Sequence, residues 1–73
     1  MDRKRYMGFI FVTYAGDHPP YHVHILTSAG RNIGRFDIEH QCPMDGFRIT
    51  KRLRNALIDL GYMLEEPDNE FST

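Results

Sequence analysis

Three short β-type runs follow one another between Met7 and Ile38, and the connections between them are too short for any crossover. The first run, Met7 to Tyr14, is rich in Phe, Ile, Val and Tyr and has no breaker after Gly8. Phe9 and Phe11 fall on one face and Ile10 and Val12 on the other, so both faces are apolar. That pattern predicts a central strand covered on both sides. Gly16, Asp17, Pro19 and Pro20 mark the loop that ends it. The second run, Tyr21 to Ser28, puts Tyr21, Val23, Ile25 and Thr27 on one face and His22, His24 and Leu26 on the other. After a glycine-containing turn, the third run, Ile33 to Ile38, sets Ile33, Arg35 and Asp37 against Gly34, Phe36 and Ile38. The simplest arrangement is a three-stranded antiparallel meander.

Beyond the irregular stretch from His40 to Gly46 the apolar period changes. Ile49, Leu53, Ala56, Leu57, Leu60 and Leu64 recur at helical spacing. They predict a helix from about Thr50 to Met63, with Thr50 as N-cap and the apolar face packed on the sheet. The expected fold is therefore α+β, a single domain over residues 1–64. Residues 65–73 are acidic and polar with Pro67, and read as a flexible tail.

A 73-residue chain buries a limited share of its surface, and such chains usually need a disulfide, a metal or a partner. Cys42 is the only cysteine, which excludes an intrachain disulfide and fits a reducing, cytoplasmic compartment. A metal or a homodimer is left to supply the help. Apolar residues make up 41% of the chain, too many for a disordered segment. The formal net charge of -1 carries no global signal for nucleic acid. Arg3, Lys4 and Arg5 precede an apolar stretch, as in a signal peptide, but that stretch holds two tyrosines and no small-x-small cleavage site. It is also much too short to span a bilayer, so no membrane association is expected.

The segment Asp17-His18-Pro19-Pro20-Tyr21-His22-Val23-His24 carries the most chemistry. His22 and His24 leave one strand face, with Cα atoms about 6.5 Å apart. His18 precedes a proline and is held extended, and Pro19 and Pro20 stiffen the loop. Three readings follow. His18, His22, His24 and the Asp17 carboxylate are suitable ligands for Zn. The same imidazoles suit general acid and base work on a phosphodiester near neutral pH. Alternatively the strand face is structural and Asp17 caps its own turn. Gly16, His22 and His24 imitate the opening of a cupin metal motif, but Ser28 and Ala29 stand where that motif needs glutamate. A histidine-triad nucleotide hydrolase would need histidine where Leu26 stands.

The hairpin does resemble the bacterial domain-of-unknown-function family 4160, whose members carry Asp-His-x-Pro-Pro-His-Phe-His. Asp17, His18, Pro20, His22 and His24 match position by position, Tyr21 replaces the second proline and Val23 the phenylalanine. Gly8-Phe9-Ile10-Phe11 resembles the family's first strand, and Phe36-Asp37-Ile38 a later one. The likeness runs to about Tyr62 and departs in the helix, where the family often has a tryptophan and this chain has none. The resemblance implies a small bacterial protein and a component of a toxin–antitoxin-like gene pair.

Arg48, Lys51 and Arg52 form a basic face at the start of the predicted helix, where cations oppose the helix dipole at about 0.3–1 kcal/mol each. Such an inversion points to an anion, such as phosphate, at that end. The plain alternative is a soluble surface whose stems cover apolar groups. Ile58 and Tyr62 lie off the core face one turn apart, and predict an exposed apolar pair for a dimer or partner contact. Three function classes stay open at this point: an RNA-acting protein with His18, His22 and His24 as its functional cluster, a Zn-binding module without catalysis, and a non-enzymatic interaction module.

Overall fold

The structure is a computed structural model in which residues 1–16 and 18–65 are described. Its elements run β1 (Asp2–Tyr6), β2 (Phe9–Thr13), β3 (His22–Thr27), β4 (Asn32–Asp37), β5 (Cys42–Pro43) and α1 (Lys51–Asp59). The strands pair antiparallel in chain order, β1-β2-β3-β4-β5. The expected meander and packed helix are present as β2, β3, β4 and α1, but the sheet has five strands rather than three.

The two extra strands lie at the sheet's edges. β1 reads Asp-Arg-Lys-Arg-Tyr and is exposed at every position, so it has no apolar alternation to betray it. Its pairing comes from the turn instead. Met7 and Gly8 form a two-residue connection with φ 53° and 84°, and Tyr6 faces Phe9 across it. Two positive φ values make a type I′ turn, whose twist matches the strands it joins. Charged side chains also suit an edge strand, because they discourage pairing with a second copy of itself. The Tyr6 hydroxyl donates to Asp59 Oδ2 at 2.7 Å and ties this edge to the end of α1. At the other edge, β5 is two residues long and too short to show any period.

The core lies between α1 and one face of the sheet. Phe11, Val23, Ile25 and Phe36 are fully buried there against Leu53, Ala56 and Leu57. Gly34 stands opposite Ile25 on the same face, and a Cβ at that position would run into the ring of Phe47. Glycine here makes room for an aromatic side chain from the segment that leads into the helix.

Thr50 caps α1 as expected, its Oγ1 accepting from Leu53 N at 3.2 Å. The far end differs from expectation. The helix stops at Asp59, not Met63. Gly61 takes φ 86°, Tyr62 N donates to Leu57 O at 2.9 Å and Gly61 N to Ile58 O at 3.0 Å. That is a Schellman stop, and it reverses the chain. Two expectations fall with it. Tyr62 is not exposed: it turns into the core, 8% accessible, with its ring centroid 6.0 Å from that of Phe11. Leu64 is not on the apolar face but 75% exposed. Ile58 is half-buried, so the pair proposed as an interface does not exist as a patch. No described helix is long and apolar enough to cross a membrane. Glu65 is exposed, and the rest of the predicted acidic tail lies outside the described residues.

Candidate functional site

Alternation along the strands settles what the helix-free face of the sheet carries. Since Val23 and Ile25 enter the core, His22, His24 and Leu26 point the other way. The register then sets Arg3 beside Val12, Val12 beside His24 and His24 beside Arg35. A second row runs Arg5, Ile10, Leu26, and a third His22, Asp37, Cys42. Ile10 and Val12 are buried on this face although no described helix covers it. The aliphatic stems of Arg3 and Arg5, with Leu26 and Tyr14, shield them. Arg3, Ile10, Val12, Tyr14 and Leu26 line a groove of about 390 Å³.

Two imidazoles lie beyond Tyr14, which lines this groove. The rings of His22 and His24 lie 5.0 Å apart, centroid to centroid, and the Tyr14 ring stands nearly perpendicular to that of His24 with centroids 5.1 Å apart. His22 is only 5% accessible, and its Nδ1 lies 2.7 Å from the Pro20 carbonyl oxygen. A carbonyl can only accept, so Nδ1 carries the hydrogen and, in the neutral ring, Nε2 carries the lone pair. The proline-rich loop thus orients a ring two residues away. His24 is half-buried and closer to solvent.

Arg35, beside His24, is held by Asp45: Nη2 reaches Oδ1 at 2.9 Å, while Nε and the backbone N reach Oδ2 at 3.2 and 2.9 Å. The Arg35 side chain holds the Asp45 carboxyl below the usual carboxylate range against a smaller push from burial, and the His24 ring adds to the lowering. Around the next bend, Asp37 is 6% accessible and accepts twice from His40, from its backbone N at 2.9 Å and from its ring Nδ1 at 2.8 Å. Burial pushes the Asp37 carboxyl up, but the hydrogen bonds and charge of His40, with a backbone bond from Glu39, together outweigh it and hold the group below its ordinary value. The loop before β3 and the turn after β4 adjoin, because Tyr21 N donates to the Glu39 carboxylate and Ile38 N to Tyr21 O at 2.9 Å. The loop that carries His18 and the bend that carries the fourth histidine, His40, therefore lie at the same end of the sheet.

Of the residues singled out from sequence, His22 and His24 come together, and His18 is exposed on the loop that leads to them. Asp17 lies outside the described residues. Among the described residues no three His, Cys, Asp or Glu side chains converge to hold a metal ion, so the zinc reading lacks a ligand set there. Arg48, Lys51 and Arg52 are exposed, and the first turn of α1 contains no acid. Lys51 and Arg52 nevertheless belong to the helix, which packs on the opposite side of the sheet from His22 and His24.

Sequence reasoning missed Arg3, Arg5, Arg35, Asp37, His40 and Asp45. Arg3 and Arg5 were hidden because β1 has no strand pattern. The pair Asp37 and His40 had a readable signal, an aspartate three residues before the residue whose N–H it accepts, the spacing of a side-chain turn cap. Arg35 and Asp45 are ten residues apart, with no local spacing to join them. Comparison with protein-family models, with curated proteins and with solved structures returned no match, so the resemblance to family 4160 rests on the hairpin motif and the two strand segments alone.

Proposed function

We propose that this chain is an RNA-acting domain, a component of the toxin–antitoxin-like type, and that it takes a single-stranded segment on the open face of its sheet. The observation that carries the reading is the cross-strand row of Arg3, Val12, His24 and Arg35 on the open face, beside a groove that Arg3, Val12 and Tyr14 line. Arginines bind the phosphates electrostatically, and an apolar floor edged by Tyr14 suits a base laid flat. His18, His22 and His24 form the functional cluster. His24 is the best placed of them to meet a bound phosphodiester, since His22 is buried and bonded to Pro20.

The test is fluorescence anisotropy with a short labelled single-stranded RNA at several salt concentrations. Binding should weaken with salt, and each phosphate-contacting arginine removed should lower the slope by about 0.7. An affinity that does not change when Arg3 and Arg5 are both replaced by Ala would sink the reading.

A second reading, a non-enzymatic interaction module, is favoured by a different observation. β1 is exposed at all five positions and forms one free edge of the sheet, where a partner strand can add. A protein that sediments as a monomer and co-purifies with no partner would count against it.

A further inference from the structure

The exposed histidine at the bend between β4 and β5 is held in a way that a structural turn does not require. A side-chain cap needs only the bond from His40 N to Asp37 Oδ1. Here the second carboxylate oxygen also takes the ring, through Nδ1 at 2.8 Å. The His40 side chain is 68% exposed, so this bond fixes a ring that gains little from burial. Asp37 itself is 6% accessible and anchored in the sheet between His22 and Cys42.

The bend is tied down from two further sides. Gln41 Nε2 donates to Ile38 O at 2.8 Å and to Tyr62 O at 3.0 Å, and Gln41 Oε1 accepts from Leu64 N at 2.7 Å. Glu39 holds Tyr21 N of the histidine loop. A carboxylate can only accept, so Nδ1 carries the hydrogen and the neutral ring offers its Nε2 lone pair outward. A buried acid that fixes the tautomer and orientation of an imidazole is the arrangement that general-base chemistry uses.

We propose that His40 is the general base of this domain and Asp37 its positioning residue, acting on the 2′-hydroxyl of a single-stranded RNA. The proposal deepens the RNA-acting reading and rests on it. His40 Nε2 takes the 2′-hydroxyl proton as the 2′ oxygen forms a bond to the adjacent phosphorus. The bond from phosphorus to the 5′ oxygen breaks with its electron pair. That oxygen takes a proton from water, and the hydroxide so formed recovers the proton held on His40. The products are a 2′,3′-cyclic phosphate and a 5′-hydroxyl. Of the titratable groups near this pair, Asp37 bonds the His40 ring, Glu39 precedes it in the bend, and His22 and Cys42 flank Asp37 across the sheet.

The experiment follows cleavage and binding of the same labelled single-stranded RNA by the full chain and by the variants H40N, H40A and D37N, with circular dichroism to confirm that each is folded. H40N should lose about 10²–10⁴-fold in cleavage rate with binding retained, the range for removal of a general base. Added imidazole should restore part of the activity of H40A, which a purely structural role for the ring would not allow. D37N should lose less and shift the pH profile of cleavage. Binding without cleavage, or cleavage unchanged in H40N, overturns the proposal and leaves the RNA-binding reading standing. An RNA that does not bind at low salt overturns both.

Discussion

On the helix-covered face of the sheet, Phe11, Val23, Ile25 and Phe36 have no accessible surface, and their neighbours are Leu53, Ala56 and Leu57. On the open face of the same strands, Ile10, His22 and Asp37 are nearly as inaccessible, at 2%, 5% and 6%, without any second layer above them among the described residues. The two faces reach burial by different means. One removes apolar surface from water against an apolar partner, which stabilises roughly in proportion to area. The other shields a thin apolar floor with arginine stems and satisfies its polar groups one by one, His22 on Pro20, Asp37 on His40 and Arg35 on Asp45. Residues of the first face are therefore exchangeable only at a cost in stability. On the second face a hydrogen-bonded group such as Asp37 or Arg35 is exchangeable only by leaving its partner unmatched.

The contrast can be broken most directly from the covered side. Phe36→Ala should cost about 3–5 kcal/mol, comparable with the whole stability of a small domain, and leave the chain unfolded in a denaturant titration. A folded variant with a nearly unchanged midpoint would mean that the core is not where the helix sits. Gly34→Ala tests the same face more finely. The added methyl meets the Phe47 ring and should cost about 1–3 kcal/mol, and Phe47→Leu in the same chain should recover part of it. If the single variant is as stable as the parent, the close approach of Phe47 to β4 is wrong.

The open side should respond to acid. Asp37 and Asp45 have carboxyls held below the ordinary range, so each adds stability that is fully present above the unfolded value and lost as pH falls through the folded one. Melting temperatures measured from neutral pH downward should fall less steeply in Asp37→Asn and Asp45→Asn than in the parent. Identical acid limbs would show that the His40 and Arg35 bonds are not maintained in solution. The smallest effect on stability is expected at the arginine row. Arg3→Ala should change unfolding free energy by no more than about 0.5 kcal/mol while weakening RNA binding at low salt. The reverse outcome, a destabilised chain with intact binding, would assign Arg3 to the first kind of face.

The middle of the chain was legible because its signals are local. Alternation in residues 21–28 and 33–38 set which residues share a side, and His22 and His24 emerge together on the face away from the helix. Thr50 was legible as a cap for the same reason. Gly61 carried an equally local stop signal, and reading past it placed Tyr62 on the surface when it belongs to the core. The edge strands were not legible, since β1 is wholly exposed and pairs through the backbone dictated by the Met7–Gly8 turn, and β5 is only two residues long.

By itself, then, the sequence determined the α+β class, the antiparallel order of its inner strands and the partition of their side chains between two faces. Each of these follows from spacing within a few residues. Only the tertiary structure decided what stands beside what. The pairing of β1 brought Arg3 and Arg5 to the histidine face, the packing of α1 took Lys51 and Arg52 to the other side, and the bend before β5 delivered His40 to Asp37. The physical reason is that a side chain's face is set by backbone geometry one residue at a time, whereas its neighbours depend on turns and on a core that forms only when the whole chain has closed.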